Sequence, residues 1–151
     1  MSDGTDPGWE MPLKQIWCPM TVADGGAVLQ NYAYKACATC DAVGEGGAMN
    51  FQVPSDFLTL VSAVAIIIPT CTDGTAGISI ASYYGAQGEA YNTHIESDEA
   101  TTYDITDTIQ FEIDVSGILT GIAIGDYVGV FVRQRTAGDN YRVFGIKLIY
   151  A

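Results

Sequence analysis

Positive charge is scarce in this sequence. Six Lys and Arg face eighteen Asp and Glu, for a formal net charge of −12. The bases are Lys14, Lys35, Arg133, Arg135, Arg142 and Lys147, so none lies between Ala36 and Val132. Such a chain has no electrostatic footprint for a phosphate backbone, which excludes nucleic acid as a direct partner. An anionic membrane surface is excluded for the same reason. Charge of either sign is also low, 16% of residues, against about a quarter in an ordinary soluble domain. A surface this poor in charge predicts cover by other copies or by a partner. Long apolar runs are missing too. The longest, "LVSAVAIII" at 60–68, is far too short to cross a bilayer. The opening "MSDGTDPGWEMPLKQ" lacks the basic-then-apolar pattern of a signal peptide.

Catalytic signals are equally thin. His94 is the single histidine, and no G-x-S-x-G elbow accompanies it. A lone loop histidine is ordinarily solvated surface, so the chain is not expected to be an enzyme and needs no cofactor.

What is present is β-structure. The segment "TIQFEIDVS" at 108–116 alternates: Ile109, Phe111, Ile113 and Val115 share one face, Gln110, Glu112 and Asp114 the other. That is the signature of a half-buried strand. "VSAVAIIIPT" at 61–70 predicts a central strand. Asp73-Gly74 signals a turn before the return strand "ISIASYYG" at 78–85. "DYVGVFVRQR" and "NYRVFGIKLIY" form the last two strands, with "TAGD" as a hairpin between them. In the final strand the even face (Arg142, Phe144, Ile146, Leu148, Tyr150) is the more apolar and is expected to point inward, in the centre of a sheet. About eight short strands and little helical periodicity predict an all-β protein, a single jelly-roll-like β-sandwich with an extended N-terminal arm. The arm and edge strands take 1–47 and the sandwich core 48–151, as one folded domain.

Several clusters carry candidate chemistry. Cys18, Cys37, Cys40 and Cys71 are candidates for disulfides in an oxidising compartment. Cys37-Ala-Thr-Cys40 has C-x-x-C spacing, but it lacks a second knuckle for zinc and the strand-to-helix setting of a redox site. Glu96, Asp98, Glu99 and Asp104 crowd one loop region. They are weak calcium candidates without EF-hand spacing, and no metal is assigned. Nine tyrosines are present. Tyr83, Tyr84 and Tyr91 bracket "GAQGEA" as a candidate contact for a glycan or a partner.

From Phe51 to Tyr150 the chain resembles small phage-type virion proteins with jelly-roll folds, such as capsid decoration and head-fibre components. The residues that carry the resemblance are "FQVPSDFLTLVSAVAIIIP", "GEAYNTH", "FEIDVSGILTGIAIGDYVGV" and "YRVFGIKLIY". The resemblance implies a non-enzymatic structural protein, a capsid decoration or minor capsid subunit that stabilises its neighbours by burying surface. Its expected partners are further copies, as a trimer or higher polymer, and a major capsid protein or other structural subunits. Its expected location is a virion or an extracellular assembly. Trp9, Trp17, Tyr32 and Tyr34 are the expected interface anchors. Two alternatives stand beside this reading. One is an extracellular filament or coat subunit that exchanges its N-terminal arm as a strand. The other is a carbohydrate-binding or adhesin module.

Overall fold

A computed structural model describes residues 12–151. Twelve strands run in the order β1 (Lys14–Pro19), β2 (Val22–Asp24), β3 (Val28–Tyr32), β4 (Lys35–Cys40), β5 (Gly46–Gln52), β6 (Leu60–Pro69), β7 (Asp73–Gly85), β8 (His94–Asp98), β9 (Thr102–Ile105), β10 (Phe111–Asp114), β11 (Tyr127–Gln134) and β12 (Tyr141–Tyr150). They form two antiparallel sheets. The first has the order β10-β6-β12-β4-β3, with β1 also on β12; the second has β2-β5-β11-β7-β8, with β9 also on β7. The chain is therefore an all-β, jelly-roll-like sandwich, with more and shorter strands than the eight expected. No described helix is long and apolar enough to cross a membrane.

The core lies between the sheets and follows the period-2 pattern. Val128, Val130 and Val132 of β11 point inward, as do Ala63, Ala65 and Ile67 of β6, and all are buried. They meet Met49, Ile78, Ile113 and Ile146. Each large aliphatic side chain buried in this way contributes on the order of 1.5–3 kcal/mol. In the 108–116 segment only 111–114 are in strand form. Ile113 and Val115 are buried as expected, while Ile109 is exposed.

β12 is central, paired with β6 on one edge and with β1 and β4 in series on the other. Its inward face corrects the expectation in one half. Ile146, Leu148 and Tyr150 do join the core, but at the start of the strand the inward residues are Tyr141 and Val143. A register shift between Val143 and Gly145 reverses the phase, as a β-bulge does. Phe144 consequently packs on the outside of the sheet with Cys37 and Ile68. The N-terminal third is woven into both sheets, β1 and β4 on β12 and β2 on β5. The expected boundary at residue 47 falls within β5.

Two expected hairpins are corrected. β11 and β12 lie in different sheets, so "TAGD" is a crossover. β6 and β7 likewise belong to different sheets, and Asp73-Gly74 opens β7. At the β11–β12 crossover Asp139 is 3% exposed, and its Oδ2 accepts a hydrogen bond from Gly77 N–H at 2.8 Å. Burial, and next the adjoining Asp73 carboxyl, push its pKa above the ordinary value. Asp73 is held low by hydrogen bonds from Asp139 and Thr75. The two carboxyls titrate together rather than independently. Because Asp139 is raised, its stabilising contribution is complete below the ordinary Asp range and is lost as pH rises through the raised value. Asp139→Asn keeps an acceptor for Gly77 and gives Asp73 a permanent donor. Thermal unfolding is expected to show a higher Tm for this variant at neutral pH. The two proteins should converge below the ordinary Asp value of about 3.9.

Candidate functional site

The outer face of the second sheet carries an open, aromatic-walled groove. Along β11 the outward positions are Tyr127, Gly129, Phe131 and Arg133, opposite the buried valines. Gly129 stands level with Asn50 on β5 and Tyr83 on β7. Having no side chain, it leaves a depression between them. Tyr127 closes one end of the groove, and Tyr91 leans over from the β7–β8 loop. The volume is about 390 Å³, and Phe51 and Val128 also line it. Tyr91 is 80% exposed, Tyr127 61% and Tyr83 41%.

The aromatic walls are held from behind. The Tyr83 ring centroid lies 6.5 Å from that of Tyr91 and 6.4 Å from that of Phe131. The Arg133 guanidinium carbon stands 4.6 Å from the Phe131 centroid, and an Nη donates to Asp24 Oδ2 at 3.1 Å. The loop that presents Tyr91 is tied by Ala86 N–H donating to Glu89 Oε1 at 2.8 Å and Thr93 Oγ1 donating to the Ala90 carbonyl at 2.7 Å. Asn50 Nδ2 donates to Thr21 Oγ1 at 3.3 Å. A Cβ placed on Gly129 would sit 3.5 Å from Asn50 Oδ1, an ordinary contact. The position therefore has room for a side chain, and Gly129 leaves that room empty. Among the described residues no charged side chain lines the groove, in a chain with eighteen acids.

Of the three tyrosines expected at a glycan or partner contact, two meet here. Tyr84 is corrected: it is the next residue on β7 and so points the other way, 2% exposed. Its hydroxyl donates to Glu96 Oε2 at 2.7 Å and accepts from Gly121 N–H at 3.1 Å. Glu96 Oε2 also accepts from Thr120 N–H at 3.0 Å, and Glu96 Oε1 takes the Thr120 hydroxyl. Burial, then the Glu96 carboxylate, push the Tyr84 phenol up to about 12. Burial would raise Glu96, but the hydrogen bonds from Thr120 and Tyr84 outweigh it and leave this carboxyl below its ordinary value. His94 stacks on Tyr84, centroids 4.8 Å apart and planes 14° apart. This network ties the edge strand β8 to β7 and to the Thr120–Gly121 segment.

The other acids of this region do not join that network. Asp98 caps Ala100 and Thr101 N–H, each at 3.0 Å. Glu99 is exposed after β8, and Asp104 lies on β9 beside Gly74. Among the described residues no group of three His, Cys, Asp or Glu is placed to hold a metal ion. The disulfide expectation is corrected, because all four cysteines are free. Cys37 and Cys40 are three apart on β4, so they face opposite sides of the sheet: Cys40 in the main core, Cys37 in the outer cluster. Their Cα atoms are about 10 Å apart along a strand, beyond the reach of a disulfide. Burial raises every one of the four thiols, Cys40 to about 12, so none is a ready nucleophile.

The expected interface anchors are dispersed. Trp17 is half exposed on β1, with its ring over Gly145. Tyr32 ends β3, Tyr34 is 99% exposed in the following turn, and Trp9 lies outside the described residues. Tyr127, Gly129 and Asn50 were not singled out in the sequence. The signal that could have found them is the outward set of β11, where a Tyr and a Gly alternate with buried valines.

Comparison with known proteins gives loose matches only. No protein family and no curated protein matches the chain. Among solved structures, the module TmCBM61 in complex with β-1,4-galactotriose superposes with a TM-score of 0.43 at 12% identity, covering 92% of this chain and 88% of that one. The CBM36-1 domain of a multidomain xylanase from the hindgut metagenome of Trinervitermes trinervoides gives 0.45 at 9% identity, covering 91% and 98%. A carbohydrate-binding module CBM36 in complex with calcium and xylotriose gives 0.42 at 12% identity, covering 90% and 98%. At these values the likeness assigns the chain neither a family nor a ligand. The resemblance read from the sequence is supported as far as the β-sandwich architecture, which the two sheets show.

Proposed function

We propose that this chain is a non-catalytic carbohydrate-binding domain that takes a neutral sugar in the Tyr83–Tyr91–Tyr127 groove. The observation that carries the reading is the placement of these three exposed rings around the side-chain-free floor at Gly129. A pyranose offers a flat C–H face and a rim of hydroxyls. Aromatic side chains suit the face and supply a phenol at the edge, at low entropic cost. The Asn50 amide adds a donor and an acceptor at the floor. The uncharged lining among the described residues favours a neutral sugar over a uronate, whose carboxylate would meet no cation there. A structural subunit of an assembly is the second reading; Tyr34, 99% exposed at the tip of the β3–β4 hairpin, favours it.

A glycan array spanning neutral and acidic oligosaccharides tests the proposal. Binding is expected to neutral members, and Tyr127→Ala is expected to weaken it about tenfold, equivalent to about 1.4 kcal/mol. No neutral ligand at millimolar concentration, or equal binding by Tyr127→Ala, would overturn it.

A further inference from the structure

We propose that the outer face of the first sheet, beside the β3–β4 hairpin, docks the acidic residues 1–11 of a second copy of this chain. Two of the six bases gather on this face. The Arg142 guanidinium carbon lies 4.3 Å from the Tyr32 ring centroid, and Lys35 Nζ lies 5.8 Å from that of Phe144. Among the described residues the ion pairs are Lys14–Asp56, Arg133–Asp24 and Lys147–Glu112. Arg142 and Lys35 have no carboxylate partner there, and Arg142 Nε is buried without an acceptor. In a chain of net charge −12, two cations without an anion among the described residues mark a surface that an anion completes.

The hairpin tip supports the same reading. Its two turn residues, Ala33 and Tyr34, have φ of +50° and +66°. A two-residue turn of this kind ordinarily takes Asn-Gly. Here it holds a tyrosine that is 99% exposed, so a bulky ring is kept in a disfavoured backbone conformation with no packing against the described residues. Strain of this sort concentrates at functional surfaces.

The occupant follows from charge, length and attachment point. Residues 1–11, "MSDGTDPGWEM", contain Asp3, Asp6 and Glu10, an aromatic Trp9 and no base. They precede β1, whose Lys14 stands opposite Tyr150. Arg142 is eight positions away along β12, about 26 Å at strand spacing. β1 runs antiparallel to β12, so Lys14, its first residue, lies at the end of β12 remote from Arg142. A return within one molecule would use most of the roughly 36–40 Å that eleven residues span. It would leave only the first few residues at the face and keep Trp9 and Glu10 off it. A second copy can present the whole segment.

Sedimentation velocity on the full chain tests this. Self-association is expected at low salt and should weaken at least tenfold in high salt. It should also weaken at least tenfold in Lys35→Glu/Arg142→Glu, and in Asp3→Asn/Asp6→Asn/Glu10→Gln. The last variant lies ahead of every described strand. A synthetic peptide of residues 1–11 should dissociate the wild-type species. A monomer at every concentration and salt would overturn the proposal. So would association that neither variant nor the peptide changes. Sugar binding uses the other sheet and is expected to survive both variants.

Discussion

Gly129→Leu is expected to abolish sugar binding, a loss well beyond tenfold, while the domain stays folded. The two halves of this prediction come from the same backbone position. Gly129 is in regular strand form between two hydrogen-bonded neighbours. An added Cβ meets nothing closer than 3.5 Å, so a side chain enters the groove without disturbing the core. Replacing a strand glycine also removes an entropic cost of roughly 0.5–1 kcal/mol relative to alanine. A Leu side chain there fills the depression between Asn50 and Tyr83 and holds a sugar ring off its floor. Titration calorimetry together with thermal unfolding reads both halves: no heat of binding, and a Tm equal to or above wild type. Retained affinity in a folded variant would remove Gly129 from the binding surface.

Glu96→Ala carries the largest expected stability loss. It leaves the Tyr84 hydroxyl and Thr120 N–H without their acceptor, and Tyr84 is buried. Hydrogen bonds to a charged group contribute about 1.5–3 kcal/mol each, and orphaning a buried hydroxyl costs on the order of 1–3. Allowing for partial exposure and water, a net loss of about 2–4 kcal/mol is expected. At this chain length that lowers Tm by roughly 5–10 °C. The pH dependence has a definite sign. Glu96 is held below its ordinary value, so its contribution is complete above the unfolded Glu range, about 4.3, and is lost as pH falls through the lowered value. The Tm gap between wild type and Glu96→Ala should therefore be widest near neutrality and close in acid. A gap independent of pH would mean that packing, not the charged hydrogen bonds, holds β8 in place. The variant also bears on function, because β8 and the loop presenting Tyr91 hang on this network.

The alternating strands were legible in the sequence because period-2 burial is written directly into residues such as Val128, Val130 and Val132. The fold class followed from them, as did the central place of β12. Partnering was not legible. A turn signal such as Asp73-Gly74 or "TAGD" reverses the chain whether the next strand pairs alongside or crosses to the facing sheet, and here both cross. The bulge near Phe144 was hidden for a related reason: both faces of β12 are apolar there, so no pattern fixes the phase. Tyr83 and Tyr91 were legible as exposed aromatics. Tyr84 was misplaced because neighbouring strand residues face opposite ways, which the pair "YY" alone does not resolve. Gly129 drew no notice, since a missing side chain becomes a groove only when its cross-strand neighbours are known.

The most direct test is an amide NMR titration of the wild-type domain with a neutral oligosaccharide chosen from the array. Shift changes are expected at Gly129, Asn50, Tyr83, Tyr91 and Tyr127, with the first sheet unmoved. Shifts centred on any other surface, or none at millimolar ligand, would contradict the account.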